Sequence, residues 1–339
     1  MTARLDALRH WAALHHGISA EALELEVVTD DASFRRYFRL FPGDGTSRIL
    51  MDAPPERENS QSFVDIAQRW HEHGINVPAL YQIDLAGGFI EMQDLGDDML
   101  RQHLSDETQR EALMMQAIST SVDIAALPAD ELPAYDAQWL TQELDLFPQW
   151  CLDRWLGIPC PASWPSVREQ LVSALVTQPQ VCVHRDFHPQ NLMLHDNRLW
   201  VIDFQGAVRG PVAYDPVSLL RDRNNAWPEE DQDRWIETWR ERAVARSVID
   251  PVSRGDFRRM VDLTGAQRSL KVLGLFCRLA LRDGKPRYLA LLPLFVEHVR
   301  QGLIRQPGFE DFMQWFDSHF VPALDARLIR HGSGSNAGK

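Results

Sequence analysis

Between Val181 and Gly206 the chain changes character in a way that leaves little choice of local fold. Val181-Cys182-Val183 is an apolar run of strand type, His184 to Asn191 is mostly polar and contains Pro189, and Leu192 to Leu194 is apolar again. Asp196-Asn197 then supplies two residues that tolerate a left-handed backbone, which predicts a tight hairpin turn. Leu199 to Ile202 forms the returning arm, ended by Asp203. A strand, a loop and a hairpin are therefore expected, with Asp186 on the loop and the oxygens of Asn191 and Asp203 on adjacent arms.

The flanking sequence divides by period. Residues 3–16 place Leu5, Leu8, Ala12 and Leu14 at helical spacing, closed by Gly17. Short alternating runs follow at Val27-Val28, Phe34 to Leu40 and Ile49 to Met51, separated by turn-rich stretches at 29–33 and 42–45. A helix is expected from Ser60 to His73, with Phe63, Ile66, Ala67 and Trp70 on one face, then strands at Ala79–Ile83 and Gly88–Met92. From Leu100 onward helical spacing dominates, rich in tryptophan and interrupted near 181–203. The expected architecture is α+β: a small antiparallel β lobe over residues 1–94, a larger helical lobe over 95–330, and a disordered tail over 331–339. The join is placed at Asp94-Leu95-Gly96.

Charge narrows the function. With 35 basic against 48 acidic residues the net charge is −13, which argues against a nucleic-acid partner and a polybasic membrane anchor. No stretch reaches the roughly 20 apolar residues that span a bilayer. The start of the chain has an early acid, Asp6, and no apolar signal core. Cys151, Cys160, Cys182 and Cys277 are scattered, as free thiols in a reducing compartment are. A cytoplasmic protein is expected, with no membrane association and no obligate protein partner evident.

Phosphoryl transfer asks a protein mainly for a positioned hydroxyl, an acceptor for its proton and cations on the phosphates. Asp186 on a short loop suits the acceptor, and the oxygens of Asn191 and Asp203 suit Mg²⁺. His184-x-Asp186-x4-Asn191 followed by Ile202-Asp203-Phe204 resembles the catalytic and metal motifs of the kinase superfamily. His188-Pro189 within the loop, and Gln205 in place of glycine, resemble the aminoglycoside phosphotransferase and choline kinase branch. That resemblance implies a protein-kinase-like two-lobe fold, ATP and Mg²⁺ as cofactors, Asp186 as catalytic base, and Asn191 and Asp203 as metal ligands. It makes His184 a support of the loop backbone rather than a zinc ligand. It makes Asp215, in Ala213-Tyr-Asp-Pro216, the acid that grips the loop, although a helix N-cap is an equal account of Asp215.

In the small lobe the resemblance places a phosphate-covering turn at Asp31 to Phe38, where Ser33 and backbone amides serve without a Gly-x-Gly signature. Gln93, Asp94 and Leu95 fall at the hinge that bonds adenine. The strand position that should carry a phosphate-binding lysine is Met51, and the first lysine in the chain is Lys271. Arg48 lies on the opposite face by strand alternation. Arg35, Arg36 and Arg57 remain as sources of charge, with greater screening by Mg²⁺ as the alternative.

Asp30 to Phe38, Met51-Asp-Ala-Pro-Pro55, Glu143-Leu-Asp-Leu-Phe147 and Leu270-Lys-Val-Leu-Gly274 together resemble the bacterial anomeric kinases of cell-wall recycling. These imply a small amino-sugar substrate, N-acetylmuramate or N-acetylglucosamine, phosphorylated at C1. Trp150, Trp155 and Trp227 are candidates to stack on the sugar, with core burial the competing role. Arg221, Asn224 and Asn225 follow the metal loop and could reach sugar oxygens, or belong to a solvated loop. The lactyl carboxylate of N-acetylmuramate suits an arginine. The rival readings are an aminoglycoside, choline or homoserine kinase of the same fold, and a nucleotide-binding pseudokinase scaffold. Met51 favours the scaffold; the intact set Asp186, Asn191 and Asp203 opposes it.

Overall fold

Alternation in the first third of the sequence and helical spacing in the rest become two different packings in the computed structural model, which describes residues 2–30, 34–43, 45–223 and 226–335. The chain runs α1 (Thr2–His16), β1 (Glu24–Asp30), β2 (Arg36–Phe41), β3 (Arg48–Asp52), α2 (Gln61–Glu72), β4 (Leu80–Asp84), β5 (Phe89–Gln93) and α3 (Glu107–Ala125). It continues through α4 (Ala137–Leu144), a π-helical turn at Phe147–Leu156, α5 (Trp164–Val176), β6 (Gln180–Val183), β7 (Leu192–His195), β8 (Arg198–Val201) and β9 (Val208–Pro211). The remainder is helical: α6 (Tyr214–Leu220), α7 (Glu229–Ala245), α8 (Arg254–Leu281), α9 (Leu292–Leu303), α10 (Glu310–Trp315) and α11 (Val321–Ser335).

Two compact units result: residues up to Gln116 with Pro189–Ala207, and Ala117–His188 with the chain from Val208 onward. In the first unit β1-β2-β3-β5-β4 form an antiparallel sheet. The strand at Val27-Val28 is longer than its apolar core because the ladder with β2 continues to Glu24↔Phe41 and Asp30↔Arg36. Leu8 and Ala12 of α1 pack with Phe38, Leu40, Leu50 and Phe89 of the sheet, with Leu5 partly buried beside them, whereas Leu14, read into the same stripe, is exposed. Asp52 is fully buried in β3, and it accepts from Arg4 Nε (2.6 Å) and Arg36 Nε (3.1 Å). A buried carboxylate needs such partners. Met51 beside it is also fully buried.

Among the described residues of the second unit β6 pairs only with β9, and the other elements are helical. The long α8 is buried along most of its length, from Phe257 to Cys277. The chain passes from the second unit to the first between His188 and Pro189 and returns after Ala207. At the C-terminus α11 continues to Ser335, into the stretch expected to be disordered, while residues 336–339 lie outside the described residues. Among the described residues no helix is long and apolar enough to cross a membrane.

Gly274 shows how tightly α8 is held. A Cβ there would lie 2.2 Å from the carbonyl carbon of Leu146 and 2.5 Å from the amide nitrogen of Phe147. Alanine favours a helix interior over glycine by about 1 kcal/mol, but backbone atoms cannot yield as a flexible side chain can. Gly274→Ala should therefore lower stability by a net ~1–3 kcal/mol, the range for overpacked cores. Thermal unfolding that shows an unchanged or raised Tm would contradict the close approach.

Candidate active site

The loop after β6 is shaped by one buried carboxylate. Asp215, in the first turn of α6 and 4% exposed, accepts from the backbone amides of His184 (2.8 Å, to Oδ2) and Arg185 (3.0 Å, to Oδ1). Arg185 has φ 77°, a left-handed conformation that is costly for a residue with a side chain. The two amide bonds hold the chain there. His184 is buried, and its Nδ1 accepts from the Asp186 amide at 3.2 Å. Ser218 Oγ donates to the Arg185 carbonyl at 3.2 Å. Burial pushes the Asp215 carboxyl up to about 6 against the pull of His184 and the two amides. Of the two roles weighed for Asp215, the loop grip is present and the N-cap is not: Ala213 stands at the N-cap of α6 and Asp215 lies within its first turn.

Asp186 projects from this loop with its side chain 48% exposed, open to a ligand. Partial dehydration raises its carboxyl, but Lys271, then Arg268 and Arg185, more than offset that and hold it at about 2. Arg268 Nη2 lies 3.7 Å from Asp186 Oδ1, and Arg268 Nε donates to Ser218 Oγ at 3.0 Å. Asp186 is thus an anion at any working pH. His188 is held neutral, at about 4, mainly by burial.

The hairpin belongs to the first unit. The turn residues Asp196 (φ 51°) and Asn197 (φ 58°) are both left-handed, as the sequence predicts. Asn76 fixes β8, accepting at its carbonyl from Val201 N (2.8 Å) and donating from its side chain to Leu199 O (3.0 Å). Buried Phe204 stacks on Phe63 of α2 with centroids 4.9 Å apart. Between these anchors Asn191 Nδ2 lies 3.3 Å from Asp203 Oδ2, and Gln205 Nε2 donates to Asp203 Oδ1 at 2.6 Å. Asp203 is exposed, with φ 62°. Since amide O and N are interchanged by a flip, the pair can offer two hard oxygens side by side. That donor set fits Mg²⁺, which takes one or two protein oxygens alongside phosphate and water.

A cavity of about 430 Å³ in the second unit is lined by Asp186, Arg185 and His188 of the loop and by one face of α8. Arg268, Lys271, Val272, Leu275 and Arg278 line it from α8, with Trp139, Gln142, Glu143 and Leu146 opposite in sequence, and Asp222, Arg223, Phe276 and Phe295 completing it. The volume suits a small molecule. Arg185 stacks over Trp139, 4.9 Å from the ring centre. Lys271 Nζ sits 2.9 Å from Glu143 Oε1, and Glu143 also accepts from the hydroxyl of buried Tyr135. The described lining holds five cations, Arg185, Arg223, Arg268, Lys271 and Arg278, against the three carboxylates Glu143, Asp186 and Asp222.

Other expected residues fall elsewhere. Arg221 is 2% exposed and ion-paired with Asp262 at 2.5 Å; it does not line the cavity. Trp150 lies on the π-helical turn under Arg154, 4.1 Å from its ring centre, and does not line the cavity either. Trp155 and Trp227 are buried in the core. Ser33, Asn224 and Asn225 lie outside the described residues. At the hinge, Gln93 N is committed to the Ala79 carbonyl (2.8 Å). The Asp94 carboxylate accepts from Arg39 Nε (2.6 Å) and Gly96 N (2.9 Å). Of the arginines near Met51, Arg35 faces Glu58 at 3.3 Å, Arg36 binds Asp52, and Arg57 stacks over Phe34 at 4.8 Å.

Sequence reasoning missed Arg268, Lys271 and Trp139. The signal was present in part: Glu143 and Lys271 sit in two of the segments quoted for the amino-sugar kinase resemblance, and positions 268, 271, 272 and 275 share one helix face. The helix pattern alone does not distinguish a face lining a cavity from one lining the core.

Residues 24–252 match the model of the phosphotransferase enzyme family. A protein of Pseudomonas aeruginosa named N-acetylmuramate/N-acetylglucosamine kinase is 40% identical over 292 residues, covering 84% of this chain and 85% of its own. A protein of the same name from Neisseria meningitidis is 37% identical over 289 residues, covering 82% and 85%. Among solved structures, an ADP-bound aminoglycoside phosphotransferase superposes with TM-score 0.59 at 12% identity, covering 87% of this chain and 98% of that one. A choline/ethanolamine kinase family protein of Mesorhizobium loti gives TM-score 0.62 at 17% identity, covering 91% and 97%. These likenesses carry the fold: kinase-like, with a small antiparallel β lobe and a larger helical lobe, as the sequence led us to expect.

Removing the grip should be felt in turnover more than in binding. Asp215→Ala frees the His184 and Arg185 amides, so kcat should fall by about 10²-fold, the scale of a misplacement near 1 Å. The KM for nucleotide should stay within about threefold. An unchanged kcat would mean that the loop holds its shape without Asp215.

Proposed function

The chain belongs to the phosphotransferase enzyme family, and we propose that it is an ATP-dependent, Mg²⁺-requiring kinase that phosphorylates N-acetylmuramate and N-acetylglucosamine at the C1 hydroxyl. The observation that carries the choice of acceptor is the shared name of relatives that are 37–40% identical over more than four-fifths of this chain. The cation-rich cavity beside Asp186 supports it, because an excess of arginine and lysine repels a polycationic aminoglycoside and tolerates an acidic sugar.

In this reading Asp186 accepts a hydrogen bond from the C1 hydroxyl and turns its oxygen toward the γ-phosphate. As the new oxygen–phosphorus bond forms, the bond from the γ-phosphorus to the oxygen bridging it to the β-phosphate breaks. ADP leaves, and the hydroxyl proton passes to Asp186. A carboxyl held at about 2 is a weak base, so its main contribution is orientation, with proton transfer late. The anomeric hydroxyl, more acidic than a ring alcohol, suits such a base. Asn191 and Asp203 would hold Mg²⁺, whose part is to neutralise charge on the phosphates. The hinge at Asp94 and Leu95 would receive adenine through backbone groups, with Arg39 bracing Asp94.

Asp186→Asn keeps the shape and removes the proton acceptor. Its kcat should drop by at least about 10³-fold while the KM for ATP changes little, a pattern that marks a transition-state interaction. Near-normal turnover would reduce Asp186 to a loop residue. The acceptor atom is checked separately with the 1-O-methyl glycoside of either sugar, which retains every other hydroxyl. We expect no phosphate transfer to it by phosphorus NMR; transfer would place the reaction elsewhere on the ring.

A further inference from the structure

Most of the cations around the cavity are engaged within the protein. Arg268 bonds Ser218 and faces Asp186, Lys271 pairs with Glu143, and Arg185 lies over Trp139. Arg223 has interactions of its own as well. Arg278 differs. Its side chain makes no hydrogen bond or ion pair among the described residues, and its Nε is buried without a partner, as is that of Arg185, whose guanidinium is covered by Trp139. Asp283, the carboxylate next along the chain, is occupied by Arg282 through Nε (2.7 Å) and Nη2 (3.0 Å). A buried guanidinium donor without an acceptor is unfavourable in the empty protein, and an anionic ligand group in the cavity removes that cost.

Arg278 is also placed away from the chemistry. From Arg268, beside Asp186, to Arg278 the axis of α8 advances about 15 Å at 1.5 Å per residue. Leu275 and Val272 lie between them on the same face. A sugar with its C1 hydroxyl at Asp186 can therefore lay an apolar ring face on these residues and extend an acidic substituent toward Arg278. The two proposed acceptors differ by one such group, the lactyl ether carboxylate on O3 of N-acetylmuramate. A guanidinium fork matches a carboxylate with two parallel hydrogen bonds.

We propose that Arg278 receives the lactyl carboxylate of N-acetylmuramate and sets the enzyme's preference for the acidic sugar over its neutral analogue. This rests on the amino-sugar reading of the cavity. The test is the ratio of kcat/KM for N-acetylmuramate to that for N-acetylglucosamine in the wild type, Arg278→Ala and Arg278→Lys. The ratio should fall at least tenfold in Arg278→Ala through the KM of the acidic sugar, and recover in part in Arg278→Lys, which keeps charge but not the fork. The methyl ester of N-acetylmuramate probes the same contact from the ligand side. The wild type should turn over the acid better than the ester, and Arg278→Ala should treat the two alike.

Equal losses on both sugars, or an acid-over-ester advantage that survives in Arg278→Ala, would overturn the assignment. Should Arg278→Ala fail to fold by thermal unfolding, Arg278→Lys and the ester decide, and a wild type indifferent to esterification refutes the contact. A wild type inert toward both free sugars would overturn the amino-sugar reading and this assignment with it.

Discussion

The site depends on a carboxylate that touches no reacting atom. Asp215 takes the amides of His184 and Arg185 on its two oxygens, and the left-handed residue between strand and base exists because those bonds oppose its strain. Everything downstream inherits the result. The direction in which Asp186 leaves the loop, the seat of Arg268 on Ser218, and the stacking of Arg185 on Trp139 all start from the backbone path that Asp215 sets. Burial alone would drive the Asp215 carboxyl toward neutrality; the two amides and His184 limit that rise.

Electrostatics around Asp186 separate two tasks that one carboxylate could confuse. The neighbouring cations Lys271, Arg268 and Arg185 lower its basicity, favouring an anion that orients a hydroxyl over one that deprotonates it. Those cations are in turn fixed by Glu143, Ser218 and Trp139, which keeps them from collapsing onto the base. The pair proposed to hold the metal is built on another principle. Half-buried Asn191 and exposed Asp203 stand at the ends of a short hairpin whose rigidity comes from Asn76 and the Phe63–Phe204 stack, with Gln205 steering the carboxylate.

Much of this was legible before any coordinates. Asp196-Asn197 announced its turn because left-handed backbone is a local property of those residues, and the five strands of the small antiparallel sheet followed from alternation and turn chemistry, though not their order. Asp186, Asn191 and Asp203, the residues we propose for base and metal, were legible as candidates because their spacing is short-range. Arg221 was not: nothing local distinguishes an arginine that reaches a ligand from one that neutralises Asp262 in the core. Arg268, Lys271 and Trp139 were hidden for the same reason. Their relation to Asp186 is made by tertiary packing across long separations in the chain, and a helix face lined with leucine, valine and arginine reads alike toward a cavity or a core. The grouping of the hairpin with the small sheet, despite its position in the sequence, is likewise a matter of Phe204 finding α2.

Met51 is fully buried in β3, and the first primary amine of any side chain in the sequence is that of Lys271. Acylating nucleotide probes that report on kinases by capturing a lysine of the small sheet have nothing to capture there. Amine-directed chemistry is instead confined to three side chains, and of the two among the described residues Lys271 lines the cavity. Its pairing with Glu143 suppresses the free amine. A survey that defines kinases by a reactive lysine of the small sheet would therefore pass over this protein, for a reason that has nothing to do with whether it turns over.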